Sequence, residues 1–282
     1  MTAAPAGLVL IDGEPGDGRI PVFDDGLLRG DGCFEAIRSY RGRPFALQQH
    51  LTRLGASAAA LAIPLPPANR IAGWVEEVAA SGGDCIVRVV VTRGSTFPGH
   101  QRPPRCIVIS HPLPAPKAEL SLLPMLAPWH PAGRAWELSG VKTISYAPNQ
   151  AATRLAGEAG FDDALLLSDD GTILEGPTFS FAWIVGRVLE TAGLELGILD
   201  SITRQLIVAD SPAVGLEVIE GRFDVGRLKN ASEAIAISTV KQVVPVTAVG
   251  EWTYPVGEVA GRLNDALSQR AQATAPQITI GR

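Results

Sequence analysis

The segment HPLPAPKAE, residues 111 to 119, constrains the fold more than any other stretch. Pro112, Pro114 and Pro116 alternate through it. Each removes a backbone donor and fixes φ, so the run favours neither a helix nor a central strand. It reads as a linker, dividing the chain into a lobe at 1–112, a connection at 113–119 and a lobe at 120–282. The flanking sequences each mix strand and helix patterns. The expected class is therefore α/β in the broad sense (α+β), with two lobes and a ligand site between them.

In the first half, Leu8 to Ile11 reads as a strand turned at Asp12-Gly13. Phe34 to Tyr40 alternates like a strand, and Arg41-Gly42 turns it into a second strand near Pro44 to Leu47. From Gln48 to Ala62 the spacing of Leu51, Leu54, Ser57, Ala58 and Leu61 predicts a helix that Pro64 stops. A further helix is expected over Ala68 to Ala80. Cys85 to Thr92 and Arg105 to Ser110 are rich in Val and Ile and read as buried strands.

The second half repeats the mixture. Gln150 to Glu158 is a short helix closed by Gly160. Ala164 to Ser168 and Thr172 to Glu175 flank Asp170-Gly171 as a hairpin. Phe179 to Val185 and Val188 to Glu190 flank Gly186-Arg187 as another. A helix over Ser201 to Ala209 is capped at Asp200 or Ser201. Ala234 to Ser238 is a strand, and Val256 to Ala273 a C-terminal helix.

Composition removes several function classes. The net charge is −5, with no basic run, so nucleic acid is not an expected partner. No uncharged apolar run is long enough to span a bilayer; Pro64, Pro66 and Pro67 break the nearest one. Met1 to Pro5 show no secretion signal, so a cytoplasmic protein is expected. Cys33, Cys85 and Cys106 lie far apart and read as buried reduced thiols. His50, His100, His111 and His130 form no pair at metal-binding spacing, so no metal is expected.

The chain has four lysines, and Lys142 is the unusual one. It follows Val141 and precedes Thr143-Ile144-Ser145-Tyr146, with no other charge nearby. A lysine at the edge of a buried region loses its proton readily and becomes a nucleophile able to form a Schiff base. Glu175 ends a strand beside Gly176, well placed to face a cleft. The LDSITRQLI run offers a helix start with Ser201 and Thr203 hydroxyls and free N–H groups, an anion site. Ser238 and Thr239, at a strand end, add a second set of such donors. Taken singly, these features are usually a surface lysine, a solvated turn and a helix cap; their combination points to an anionic, carbonyl-bearing cofactor.

At this point the chain resembles the fold-type IV (class IV) pyridoxal-phosphate enzymes: branched-chain aminotransferases, D-amino-acid transaminases and 4-amino-4-deoxychorismate lyases. The motifs RGDGCFEAIR, HLTRL, VKTISYAPN, DDGTILEG and ITR carry the resemblance in this order. The resemblance implies pyridoxal 5′-phosphate as cofactor and a homodimer. It implies that Lys142 forms the internal aldimine and that Glu175 pairs with the pyridine nitrogen. Arg53, Ile202, Thr203 and Thr239 would hold the phosphate, and Tyr146 would lie near the phenolic oxygen. Phe34, Ala36 and Arg38 match positions lining the substrate pocket. The loop 94–103 reads equally as a lid bringing His100 or Arg102 to substrate and as a solvated hairpin.

The chain also departs from the family pattern. Ser201 stands where relatives commonly have glycine before Ile-Thr-Arg, and Ser180 stands where they commonly have asparagine. Neither the branched-chain nor the D-amino-acid carboxylate motif is intact. The expected activity is a transaminase for a branched-chain-like amino acid and a keto acid. The lyase, which expels pyruvate from aminodeoxychorismate and leaves 4-aminobenzoate, remains open, as does a non-catalytic cofactor-binding relative.

Overall fold

A computed structural model describes residues 7–273. The secretion-signal expectation at Met1 to Pro5 lies outside them. The first sheet has six strands in the order β2-β1-β6-β5-β3-β4. They are β1 (Val9–Ile11), β2 (Glu14–Pro15), β3 (Gly32–Tyr40), β4 (Arg43–Pro44), β5 (Cys85–Thr92) and β6 (Arg105–Pro112). β3, β5 and β6 pair antiparallel over eight residues each way, with Ala36 opposite Arg88 and Phe34 opposite Val90. The short helix α1 (Asp25–Arg29) precedes β3.

Two helices, α2 (Leu47–Ala60) and α3 (Ala68–Gly82), cover one face of this sheet. Their Leu51, Leu54, Ile71, Val75 and Val78 pack on Cys33, Ile37, Val87, Val89 and Val91. Strand alternation sends the other set, Phe34, Ala36, Arg38, Arg88 and Val90, to the opposite face. The strand expected near Pro44 to Leu47 ends at Pro44, because Ala46 takes a positive φ and Leu47 opens α2.

The second sheet runs β11-β10-β9-β12-β13-β7-β8, with β14 on β13. Its strands are β7 (Leu120–Leu126), β8 (Asp163–Leu167), β9 (Ser180–Val185), β10 (Val188–Ala192), β11 (Glu217–Gly221), β12 (Glu233–Ser238), β13 (Gln242–Val249) and β14 (Trp252–Thr253). β12 is apolar on both faces: Ala234 and Ala236 meet Trp183 and Val246, while Ile235 and Ile237 meet Ile207 and Leu263. The latter two lie on α5 (Ile202–Asp210) and α6 (Glu258–Ala273). α4 (Ala147–Glu158) buries Ala152 and Ala156 against Ala164 and Leu166.

Prolines lie in five strands, each where the strand has only one neighbour: Pro15 and Pro44 are in the edge strands β2 and β4. Pro112 lies past the part of β6 that β1 reaches, and β13 pairs with β7 only from Val246, beyond Pro245. Pro124 lies past the part of β7 that β13 reaches. A missing N–H costs little at such positions. β6 therefore runs two residues into the proline run, and residues 113–119 carry no helix or strand. No helix among the described residues is long and apolar enough to cross a membrane.

Candidate active site

Lys142 is held by its backbone from both sides. Its N–H donates to Ser57 Oγ of α2 at 3.2 Å, and its carbonyl accepts from the Phe34 N–H at 3.0 Å. Ile144 donates in turn to the Gly32 carbonyl. Gly32 is needed there, since a Cβ would fall 2.3 Å from the Val91 carbonyl oxygen. The side chain then enters a cleft, with Nζ 4.4 Å from the centre of the Phe34 ring and 3.3 Å from the Tyr146 hydroxyl. Burial brings the Lys142 pKa down to about 8, although Glu35 and Glu175 both pull it upward. This is the direction expected of an amine that must be neutral to act as a nucleophile.

Glu175 faces the same cleft. Among the described residues its two oxygens accept only from the Leu199 N–H, at 3.2 and 3.3 Å. His130 Nε2 lies 3.6 Å from Oε1. The Ala132 N–H donates to His130 Nδ1 at 3.2 Å, so a neutral ring carries its proton on Nε2, facing the carboxylate. Asn149, on α4, donates to the Pro177 carbonyl at 2.8 Å and closes the floor beside Glu175.

At the other end of the cleft, Ser201 is the N-cap of α5, and its side chain accepts from the Arg204 N–H. The Ile202 and Thr203 N–H groups have no partner within the helix. Thr203 Oγ1 and Thr239 Oγ1 lie 3.3 Å apart, one from the start of α5 and one from the turn after β12. Ser238 caps that turn by accepting from the Lys241 N–H at 3.0 Å. Ser180 Oγ is buried there with no hydrogen-bond partner among the described residues. Two adjacent hydroxyls, an open helix start and an orphaned hydroxyl form a donor cluster suited to an anion.

Arg53 reaches this cluster differently from the expectation. Its Nε and one terminal nitrogen donate to Glu35 at 2.8 and 2.7 Å, and the other terminal nitrogen donates to the Asp200 carbonyl at 2.7 Å. Glu35 is fully buried and also accepts from His50 Nδ1 at 2.7 Å. Burial would push the Glu35 carboxyl up; the Arg53 and His50 hydrogen bonds outweigh it and bring the group to about 2. Burial lowers the His50 pKa, so the ring is neutral. Arg53 thus sits in the cavity wall with its charge balanced, fixing the loop that leads into α5.

Lys142 and Glu175 line a cavity of about 80 Å³. It continues into a second chamber walled by Phe34, Arg88, Val90, Ile144 and Gln150. Lys142, Tyr146 and Ala36 line both. The structure thus gathers Lys142, Tyr146, Glu175, Arg53, Ser201, Thr239, Ser238, Phe34 and Ala36 around one space. Arg38, His100, Ile202 and Thr203 are not among its walls; Thr203 lies behind Thr239. Arg38 donates to the Val240 carbonyl at 3.1 Å, and exposed His100 stacks on Phe23 with ring centres 3.8 Å apart.

Sequence reasoning did not single out Glu35, His50, Arg88 or His130 for the site. Glu35 had a readable signal: His50 and Arg53, three residues apart, share one face of a helix facing an odd-numbered β3 position. His130 lies in an irregular loop, where spacing carries no information.

The amino-transferase class IV family model matches residues 32–249. The chain is 31% identical over 259 residues to a protein of Methanocaldococcus jannaschii provisionally assigned as a branched-chain-amino-acid aminotransferase, covering 88% of this chain and 90% of the relative. It is 27% identical over 268 residues to the aminodeoxychorismate lyase of Bacillus subtilis, covering 90% and 89%. A solved fold IV transaminase from Curtobacterium pusillum superposes with a TM-score of 0.85 at 29% identity, covering 93% of each chain. This chain is a member of the class IV aminotransferase family, an enzyme family of fold type IV.

Proposed function

We propose that this protein is a pyridoxal-phosphate-dependent aminotransferase for an amino acid with an aliphatic, branched-chain-like side chain. Class IV aminotransferases use this cofactor. The supporting observation is that the half-buried Lys142 amine, depressed to about 8, shares one cleft with Glu175 and a hydroxyl-rich donor cluster. These residues fit the cofactor: the orphaned Ser180 hydroxyl, Thr203, Thr239 and the start of α5 suit a phosphate.

When bound, the cofactor supplies an electron-withdrawing ring that stabilises negative charge at the substrate α-carbon. Glu175 would hold a proton on the pyridine nitrogen. Lys142 would hold the cofactor at rest and, once displaced, would move the proton at the α-carbon. Tyr146 orients the lysine amine, Arg53 fixes the phosphate-side loop, and Phe34, Val90 and Ile144 exclude water.

The proposal includes a homodimer, supported by the exposed Val22, Phe23, Leu27 and Leu28 around α1. Gel filtration with light scattering reads the mass directly. It also includes a cytoplasmic location, supported by three buried, unpaired thiols.

The first test is the absorption spectrum of the loaded protein with L-leucine or D-alanine. Conversion of the yellow band to the aminated-cofactor band is expected, and Lys142→Ala should slow it about 10²- to 10⁴-fold. The B. subtilis relative supports a second reading, aminodeoxychorismate lyase. A band unmoved by either amino acid, with pyruvate and 4-aminobenzoate released from aminodeoxychorismate, would replace the first reading by the second.

A further inference from the structure

Ala132 has a φ of 53°, in the left-handed region where a residue other than glycine is strained. The turn closed by this conformation brings the Ala132 N–H to Nδ1 of His130, at 3.2 Å. The His130 side chain is buried, and its own N–H donates to the Ala127 carbonyl at 2.9 Å. The Ala132 carbonyl accepts from Arg222 at 3.2 Å, and the Gly133 N–H donates to the Leu196 carbonyl at 2.9 Å. Three residues on, the Leu199 N–H holds Glu175. Two loops bonded to one another thus meet at the same carboxylate.

A ring nitrogen that accepts an N–H does not carry a proton as well. The proton of His130 therefore sits on Nε2, 3.6 Å from Glu175 Oε1. A second proton would displace the Ala132 N–H. Among the described residues no lysine or arginine forms an ion pair with Glu175. A permanent cation beside the carboxylate would favour the anion but compete with a ligand's charged N–H for it. A neutral N–H favours the anion and leaves its full charge to the ligand.

We propose that His130 is a positioning residue for Glu175: a neutral imidazole locked in the Nε2–H form, it keeps the carboxylate ionised and oriented for the ring nitrogen of the cofactor. The proposal rests on the cofactor reading given above. At 3.6 Å the contact is longer than a direct hydrogen bond. Contacts of this kind commonly tighten only when the ligand is in place.

Two measurements test it. Long-range proton–nitrogen NMR spectra of the apoprotein at neutral pH should show His130 protonated on Nε2 alone. The second measurement is titration of the apoprotein with pyridoxal phosphate and with its deaza analogue, in which carbon replaces the ring nitrogen. His130→Asn keeps an oxygen for the Ala132 N–H and removes the donor facing Glu175. It should weaken pyridoxal phosphate binding about three- to tenfold and leave binding of the analogue unchanged. His130→Gln, whose longer amide restores a donor, should recover most of the loss. A role confined to holding the loop would move both ligands equally. A ring protonated on Nδ1 or on both nitrogens, or an equal effect of His130→Asn on the two ligands, would overturn the proposal. Failure of wild type to bind either ligand would end the cofactor reading itself, and this inference with it.

Discussion

Two carboxylates pull the Lys142 pKa upward, Glu35 from β3 and Glu175 from the loop between β8 and β9, and the protein uses them in opposite ways. Glu35 has no exposed surface and accepts three short bonds from Arg53 and His50. Glu175 keeps 16% of its side chain exposed and accepts two long bonds from a single N–H. A buried carboxylate with both oxygens engaged is a structural part, since nothing can approach it without breaking the network. One with spare acceptor capacity facing a cleft is available to a ligand. The two arginines divide the same way: Arg53 is balanced, and Arg88 has no hydrogen bond or ion pair among the described residues.

The comparison breaks most visibly at Glu35. Replacing it with Gln leaves Arg53 charged and unbalanced next to a buried partner. The expected loss is about 3–5 kcal/mol in urea unfolding at neutral pH. The pH dependence gives a second reading. The Glu35 pKa falls on folding from 4.5 to about 2, so its contribution is complete above 4.5. That contribution is lost as pH falls from 4.5 toward 2. Glu35→Gln should therefore flatten the acid side of the stability curve in that window. A loss below about 1 kcal/mol would mean that the network is not the saturated structural unit its geometry describes.

Glu175→Gln should behave in reverse. The amide oxygen can still accept from the Leu199 N–H, so stability should change by less than about 1 kcal/mol. What disappears is the negative charge facing the cleft. Amino-group transfer should slow by about 10²- to 10³-fold, measured as single-turnover conversion with L-leucine. A large stability loss with intact turnover would exchange the roles given to the two carboxylates.

The elements were readable where one physical signal dominated. β3 and α2 followed directly from apolar periodicity, β5 from its density of Val and Ile, and Gly186-Arg187 marked the β9–β10 turn. β7 and β13 were not readable, because Pro124 and Pro245 argue against a strand until the register shows that each lies beside a single neighbour. In the cleft, Lys142, Glu175 and Thr239 stood out as residues at the edges of apolar runs. Glu35 and Arg88 did not, although both lie in strands seen correctly. Which face of a strand meets a helix and which meets a cavity depends on the partner layer, and one strand's alternation does not reveal it. Arg38 shows the same limit: it shares the face of Phe34 and Ala36 but is drawn to the Val240 carbonyl.

Tyr146 gives the smallest and sharpest test of the open side of the cleft. Its hydroxyl lies 3.3 Å from Lys142 Nζ, and burial raises its pKa, so it remains a neutral phenol that accepts from the amine. Accepting from the ammonium favours the protonated lysine. Tyr146→Phe should therefore lower the Lys142 pKa further, below about 8. Uptake of pyridoxal phosphate by the apoprotein requires the neutral amine, so its rate should rise with pH through about 8 in wild type. The midpoint should move to lower pH in the variant. Turnover should fall only by a few- to about tenfold, the scale of one hydrogen bond. Stopped-flow absorbance across pH 6 to 10 reads the midpoint (a range of about four units around the expected value). A shift to higher pH would mean that the phenol opposes the ammonium rather than supporting it, and that the desolvation of Lys142 alone is weaker than its surroundings imply.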